Sequence, residues 1–169
     1  MLFRSIDDFR NFFKPETTKE RFCIVAACQE ALTLAHASLK HQNIEVIFKA
    51  QKEVWAVGYP SAYAQVVLNL IQNAKDAHLH HGTSSPWIEI EVLNEGEEVC
   101  VRLSDNAGGI DEEVLEGLFE PYVTTKKGSG TGLGLYMAKM IMEKHLGGSI
   151  EATNSALGAV FTLRMSRGG

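Results

Sequence analysis

Two segments near the middle of the chain that alternate apolar and polar residues constrain the fold more than any other feature. Residues 87–93 read WIEIEVL and residues 99–104 read VCVRLS, with the charged sequence NEGEE between them. Period-two alternation predicts strands with one buried face, and a short turn containing glycine joins such strands into a hairpin. The apolar face of that hairpin must be covered by helices from elsewhere in the chain.

The rest of the chain alternates between helical and extended patterns, with no internal repeat. Helices are predicted over 25–41, from Pro60 to His78, around 112–118 and after the glycine-rich stretch. Short strands are predicted near 22–24, over 44–50 and over 54–58, and a last hairpin turns at Leu157 and Gly158. We therefore predict an α+β fold, a two-layer sandwich in which a mixed sheet of about five strands packs against about three helices.

The first 15 residues form a separate short pattern. Phe3, Ile6, Phe9 and Phe13 make a helical stripe that ends at Pro15. The remaining residues, 16–169, have a length that suits one domain with its own core.

Charge and cysteine content argue against several classes of function. The formal net charge of -5 gives no general attraction to nucleic acid or to anionic membranes. Cys23, Cys28 and Cys100 form no CxxC pair, which favours buried thiols in a reducing compartment. No apolar run approaches the roughly 18 residues that a membrane helix needs, and no signal peptide opens the chain, so we expect a soluble, cytoplasmic domain.

Three polar residues share one face of the helix that begins at Pro60. Asn69, Asn73 and Asp76 are spaced four and three residues apart, which places them within an arc of about 60°. A polar stripe is usually a solvated face, but solvated faces favour Glu, Lys and Gln, because Asn and Asp are weak helix formers. Amide and carboxylate oxygens suit Mg²⁺, so a ligand-binding face is the better interpretation here.

The sequence LSDNAGGI, residues 103–110, follows a predicted strand. Asp105 stands at the strand end, and Gly108 and Gly109 would let the backbone approach a flat ligand. An Asx-turn leading into a helix explains this segment equally well when it is considered alone.

Glycines stand at every second position from Gly128 to Gly134, immediately before a predicted helix. A glycine inside a helix costs roughly 1 kcal/mol, so the pattern indicates that the backbone must remain accessible. Free N–H groups at a helix N-terminus attract phosphate, although the spacing matches neither a Walker loop nor the dinucleotide fingerprint. The irregular segment 119–132 is typical of a lid over a site or of a disordered segment.

Four short motifs resemble, in the correct order, the boxes of sensor histidine kinase catalytic domains. NLIQNAKDA is similar to the N box, DNAGGI to the first glycine box, FEPYVTTK to the F box and GTGLGL to the second glycine box. Together they cover residues 60 to about 150, and the ending LGGSIEATNSALGAVFTLRM resembles the last hairpin of the same domain. The resemblance implies the Bergerat ATP-binding fold, shared with type II topoisomerase, mismatch-repair and heat-shock chaperone ATPases.

The resemblance also implies Mg²⁺ and ATP as cofactors and gives roles to matching positions. Asn73 would coordinate Mg²⁺ with support from Asn69, whereas Asp76 stands where the family often has a basic phosphate contact, so its role is open. Asp105 would accept the adenine amino group, with Gly109 and Ile110 against the ring.

At the phosphate end, the backbone of the second glycine box would wrap the triphosphate. Its residues are Gly130, Thr131, Gly132, Leu133, Gly134 and Leu135. Lys126 would either meet the γ-phosphate or belong to a solvated lid. Ala107 departs from the usual glycine of the first box, and the site should tolerate it if its φ is negative.

Position 69 separates kinases from the ATP-hydrolysing relatives. Those relatives have a glutamate there that acts as general base toward water, and the amide of Asn69 cannot take a proton at neutral pH. Phosphoryl transfer depends mainly on positioning and charge stabilisation, so a histidine kinase is favoured over an ATPase. A nucleotide-binding regulatory module that transfers nothing is the alternative from another class.

None of the six histidines has the sequence context of the family's phosphoacceptor. They are His36, His41, His78, His80, His81 and His145. His78, His80 and His81 end the asparagine helix, where positive charge suits the dipole, and a metal cluster is less well supported. The expected partners are therefore a dimerisation domain carrying the acceptor histidine, in a homodimeric parent protein, and a response regulator. Residues 1–15 would be the tail of a dimerisation helix or a linker, and no contact with nucleic acid or membrane is expected.

Overall fold

A computed structural model describes residues 18–50, 53–121 and 133–168 of the chain. The predicted helix within residues 1–15 lies outside the described residues. So do four residues with predicted roles at the phosphate end: Lys126, Gly130, Thr131 and Gly132.

Helices and strands alternate along the chain much as the patterns predict. The strands are β1 (Glu20–Cys23), β2 (Glu45–Ala50), β3 (Trp55–Gly58), β4 (Trp87–Glu95), β5 (Glu98–Asp105), β6 (Ser149–Asn154) and β7 (Ala159–Ser166). The helices are α1 (Ile24–His41), α2 (Pro60–His81), α3 (Glu112–Leu115) and α4 (Gly134–Met140), and α4 continues as a π-helical turn over Ile141–His145.

The main sheet has five strands in the order β2-β4-β5-β7-β6. The β2–β4 pair is parallel and the other pairs are antiparallel, so the sheet is mixed, as predicted. A separate antiparallel pair joins β1 to β3, from Glu20 opposite Gly58 to Cys23 opposite Trp55. The predicted α+β class and five-stranded mixed sheet are confirmed, with four helices among the described residues instead of about three.

The hairpin of β4 and β5 shows why the sheet has one solvent-exposed face and one buried face. Ile88, Ile90 and Val92 are buried in the core that the helices cover. The intervening Glu89 and Glu91 lie on the other face, where Lys49 Nζ reaches Glu89 at 3.0 Å and Arg102 approaches Glu91 at 3.9 Å. Alternation along the strand therefore produces the two layers.

Helix α2 begins and ends with residues that favour those positions. Pro60 occupies the first turn, where a missing N–H costs nothing, and Gly82 ends the helix in the left-handed conformation with φ +60°. The helix runs to His81, three residues further than predicted. The buried side chain of His78 fixes this last turn, because its Nε2 donates a hydrogen bond to the Trp87 carbonyl at 3.0 Å.

The three cysteines are free thiols in the described structure, and two of them are buried. Cys28 and Cys100 are buried and Cys23 is half-buried, all as free thiols. Burial, reinforced by the neighbouring Cys23, raises the pKa of the Cys28 thiol to about 12.

Among the described residues, no cluster of three or more His, Cys, Asp or Glu could hold a metal ion. In the same part of the chain, no helix has the length and apolarity to cross a membrane.

Candidate functional site

A cleft opens between the second half of α2, the end of β5 and the turn that follows it. The space in and directly above it is about 410 Å³, a volume that includes open solvent. The lining residues are Asn73, Ala77, His80, His81, Asp105, Ala107, Gly109, Ile110, Leu118 and Ala159. Asn73 from the first polar motif is thus brought into one cleft with Asp105, Gly109 and Ile110 from the glycine motif DNAGGI.

Asp105 is the buried carboxylate of this cleft, with only 2% of its surface exposed. Its Oδ1 accepts hydrogen bonds from the backbone N–H groups of Ala107 at 2.9 Å and Ala159 at 3.3 Å. Among the hydrogen bonds of the described residues, none engages Oδ2. One oxygen therefore fixes the carboxylate, and the other is left to accept a hydrogen bond from a ligand.

Gly158 passes so close to Asp105 that no side chain fits between them. A Cβ at position 158 would lie 2.2 Å from the Asp105 carbonyl oxygen and 2.5 Å from its Oδ1. The sequence explained Gly158 only as a hairpin turn residue. Its second role, seating the β6–β7 turn against the carboxylate, depends on a contact between distant parts of the chain.

The glycine turn after β5 is held by a side chain that sequence reasoning missed. Gly108 and Gly109 have φ values of +94° and +89°, which favour glycine. Asn154, at the end of β6, accepts the Ile110 N–H through Oδ1 at 2.9 Å and donates through Nδ2 to the Ile110 carbonyl at 2.7 Å. Ala107 is not among the described residues with positive φ, so the condition set for its replacement of glycine is met.

Asn106, next to Asp105, fastens the end of β5 to the start of β4. Its Oδ1 accepts the Trp87 N–H at 2.8 Å, and its Nδ2 donates to the Ser85 carbonyl at 3.1 Å. The Asx-turn itself belongs to Asp105, whose Oδ1 accepts the N–H of Ala107 two residues further on, so the Asx-turn interpretation is confirmed. Asp105 also lines the cleft, where its role as a binding residue stays a prediction.

At the other end of the site, Asn69 ties α2 to the first residue of α4. Its Nδ2 donates to the Gly134 carbonyl at 3.2 Å, and its Oδ1 accepts from Gln65 Nε2 at 2.8 Å. Asn69 therefore positions the glycine-headed helix, while its support of a metal ligand stays a prediction. Asp76, half-buried on the same helix, is not among the residues that line the cleft.

The start of α4 combines anchored side chains with open backbone. Leu133 and Leu135 are buried in the core, and the Leu133 carbonyl accepts the Met137 N–H at 2.8 Å. Gly134 between them is exposed, and an added Cβ there would meet no atom of the described residues within 4 Å. The two leucines therefore hold the helix in place while the backbone at Gly134 stays accessible.

Comparison with known proteins gives this architecture a family. A family model described as histidine kinase-, DNA gyrase B- and HSP90-like ATPase matches residues 58–168. The chain is 38% identical over 145 residues to the two-component sensor PprA of Pseudomonas aeruginosa, covering 83% of this chain and 16% of that protein. It is 35% identical over 136 residues to the sensor histidine kinase ZraS of Salmonella typhimurium, covering 79% of this chain and 28% of that protein. The chain thus spans between about a sixth and just over a quarter of the length of these relatives.

Solved structures agree with the sequence relatives. The catalytic domain of histidine kinase ThkA superposes with a TM-score of 0.78 at 27% identity, covering 90% of this chain and 100% of that one. A second structure contains histidine kinase ThkA in complex with the response regulator protein TrrA. It superposes with a TM-score of 0.75 at 26% identity, covering 88% of this chain and 42% of that chain.

Proposed function

Because the chain belongs to the family of histidine kinase-, DNA gyrase B- and HSP90-like ATPases, we propose that it binds Mg²⁺·ATP in the cleft and transfers the γ-phosphate to a histidine on a dimerisation domain. The observation that carries this proposal is the buried carboxylate of Asp105, fixed through Oδ1 and bordered by the cleft. PprA is a two-component sensor and ZraS is a sensor histidine kinase, and similarity to both favours the kinase branch of the family.

The base of the nucleotide binds at the end of β5. Asp105 Oδ2 accepts a hydrogen bond from the adenine amino group, since a carboxylate only accepts and that amino group only donates. Gly109 and Ile110 lie along the ring, and the two hydrogen bonds between Asn154 and Ile110 keep this turn in place before the ligand arrives. A preformed turn lowers the entropy cost of binding.

The phosphates and Mg²⁺ bind from Asn73, at the edge of the cleft, toward the contact between Asn69 of α2 and Gly134 of α4. The residues present fit Mg²⁺, because Asn73 offers an amide oxygen and no multi-carboxylate cage occurs among the described residues. Mg²⁺ suits such a sparse site, since it keeps several waters and shares phosphate oxygens. The ion would neutralise phosphate charge, while the exposed backbone at Gly134 gives the phosphates room to approach.

Asn69 favours transfer over hydrolysis. Its Oδ1 already accepts from Gln65 and its Nδ2 donates to Gly134, so the amide acts as a brace between two helices. An amide is also no base at neutral pH, so it cannot activate a water molecule. The arriving imidazole of the acceptor domain carries its own nucleophilic nitrogen and needs positioning above all.

We propose two partners for this domain. The first is the dimerisation domain with its acceptor histidine, in a homodimeric parent protein. The kinase domain would lie in the cytoplasm, whether or not that parent is anchored in the membrane. The second is a response regulator, which would receive the phosphoryl group next. The ThkA relative was solved with a response regulator, which supports the second partner.

Phosphotransfer itself is tested with radioactive ATP labelled at the γ-phosphate. The chain is expected to label an added dimerisation domain on histidine, and to leave its own six histidines unlabelled because none has the acceptor context. ATP binding without any transfer would indicate the regulatory module instead. Release of inorganic phosphate without phosphohistidine would indicate a hydrolysing member of the family.

Replacing Asn73 with aspartate is expected to weaken Mg²⁺·ATP binding about tenfold. The change keeps an oxygen ligand for Mg²⁺ but adds negative charge beside the triphosphate. Like charges about 6 Å apart repel by roughly 3 kcal/mol near a protein surface, and attraction of the carboxylate to Mg²⁺ offsets part of this repulsion. The measurement is a titration with a fluorescent ATP analogue, with and without Mg²⁺. Gln72→Glu is the matched control, because it adds the same charge one residue away and keeps an acceptor for Lys75 Nζ, which lies 3.2 Å from Gln72 Oε1. Equal losses in the two variants would contradict the assignment of Asn73.

A further inference from the structure

Two exposed histidines line the cleft, although neither belongs to a motif of the family. His80 and His81 are in the last turn of α2, and both border the same space as Asp105 and Ala107. Their rings meet edge to face, with centroids 5.1 Å apart and planes at 86°. The third histidine of that turn, His78, is buried and bonded to Trp87, so it is separate from this pair.

The geometry of α2 places this histidine pair at the base end of the cleft. His80 is seven residues beyond Asn73, two turns along the helix, so it lies on nearly the same face and about 10 Å further along the axis. The last turn of α2 is fastened to Trp87 through His78, and the neighbouring Ile88 pairs with Asp105 across the sheet. The pair therefore stands beside the carboxylate and away from the phosphate end at Asn73 and Gly134.

The walls of the cleft at this end differ in chemistry in a way that suits a purine. The turn side offers Gly109 and Ile110, which present backbone and an aliphatic side chain. The helix side offers two imidazole rings with little else to cover them, since both are exposed. A flat heterocycle between these walls would bury ring surface on both faces, and aromatic side chains stack favourably on bases.

We propose that His80 and His81 form the outer wall of the base site and pack directly against the purine ring, adding a ring contact to the hydrogen bond of Asp105. This inference rests on the proposed function, because it presumes that the base binds at Asp105. It makes the histidine pair a determinant of affinity for the base itself, independent of Mg²⁺ and of the number of phosphates.

The test compares three double variants by competition of ATP, ADP and adenosine against a fluorescent adenine nucleotide. His80→Ala with His81→Ala is expected to weaken all three ligands by a similar factor, about fivefold. His80→Phe with His81→Phe is expected to restore most of the affinity, because the rings remain. His80→Lys with His81→Lys is expected to restore little for adenosine. His36→Ala with His41→Ala on α1 is the control, since both residues are exposed and neither lines the cleft.

The remaining outcomes would overturn the inference. An alanine pair that binds all three ligands as the parent does would show that the histidines do not touch the base. A loss confined to ATP and ADP and rescued by lysine would show attraction to phosphate in place of ring packing. If the unmodified chain bound no adenine nucleotide at all, the proposed function would fail and this inference with it. That result differs from a failure of this inference alone, in which the unmodified chain and the alanine pair bind adenine nucleotides equally well.

Discussion

Replacing Gly158 with alanine is expected to lower the free energy of unfolding by about 3 kcal/mol, the upper end of the cost of overpacking a core. The new Cβ would lie 2.2 Å from the Asp105 carbonyl oxygen, which is too close for any contact between real atoms. Neither neighbour can move away freely, because β5 and β7 are paired beside the overlap, with Ser104 opposite Val160. For a domain of this length, the melting temperature should fall by roughly 6–12 °C.

The control for this prediction is Gly134→Ala. An added Cβ at Gly134 meets no atom within 4 Å in the part of the chain that the structure describes, and alanine is the better helix former. The unfolding free energy should therefore stay the same or rise slightly. The same variant should weaken ATP binding if phosphate approaches the Gly134 backbone. Thermal and urea unfolding of both variants without nucleotide separates the two effects. A Gly158→Ala protein that unfolds like the parent would show that the turn moves easily and does not seat Asp105.

The contrast between these two glycines shows what the sequence can and cannot predict. Gly134 belongs to a local pattern, alternating glycines before a helix, and the pattern alone indicates that backbone must stay open. Gly158 looks like an ordinary hairpin residue, because its constraint comes from Asp105, which is far away in sequence. A local sequence pattern predicts a constraint that arises from neighbouring residues. A constraint that arises from a contact between distant residues becomes visible only in the folded structure.

Asparagines illustrate the same limit. Asn69 and Asn73 were recognised from their helical spacing, but the hydrogen bond from Asn69 to Gly134 joins two helices and has no local signature. Asn154 has no pattern around it at all, yet it makes both hydrogen bonds that hold Ile110. The class of fold was predictable because period-two strands and amphipathic helices repeat over many residues. The last turn of α2 was not predictable, because it depends on the hydrogen bond from His78 to the carbonyl of Trp87, the first residue of β4.

The structure also sharpens what a change at Asp105 should do. The backbone N–H groups of Ala107 and Ala159 both bond to Oδ1, so an asparagine would keep its carbonyl oxygen there. Its amide nitrogen would then replace Oδ2 and turn two donors toward the adenine amino group. Asp105→Asn is therefore expected to fold normally while losing the hydrogen bond that recognises adenine.

In the parent chain, ATP is expected to bind at least about tenfold more tightly than GTP. Guanine would place its O6 carbonyl against the carboxylate, and losing a hydrogen bond to a buried charge costs about 1.5–3 kcal/mol. Asp105→Asn should weaken ATP by roughly tenfold to a hundredfold on the same scale. It should also narrow the gap to GTP, because the new amide donor suits the guanine O6.

Asp105→Ala should weaken ATP at least as much, and it should also destabilise the fold. Two buried N–H groups, those of Ala107 and Ala159, would lose their acceptor, at about 1–3 kcal/mol for each donor left unsatisfied.

Asp111→Asn is the matched control, because Asp111 is exposed and makes no capping hydrogen bond to α3. Competition of a fluorescent ATP analogue by ATP and by GTP across the three variants gives the affinities, and urea unfolding gives the stabilities. An Asp105→Asn protein that binds ATP as tightly and as selectively as the parent would make Asp105 a turn residue only, and the adenine site would have to lie elsewhere.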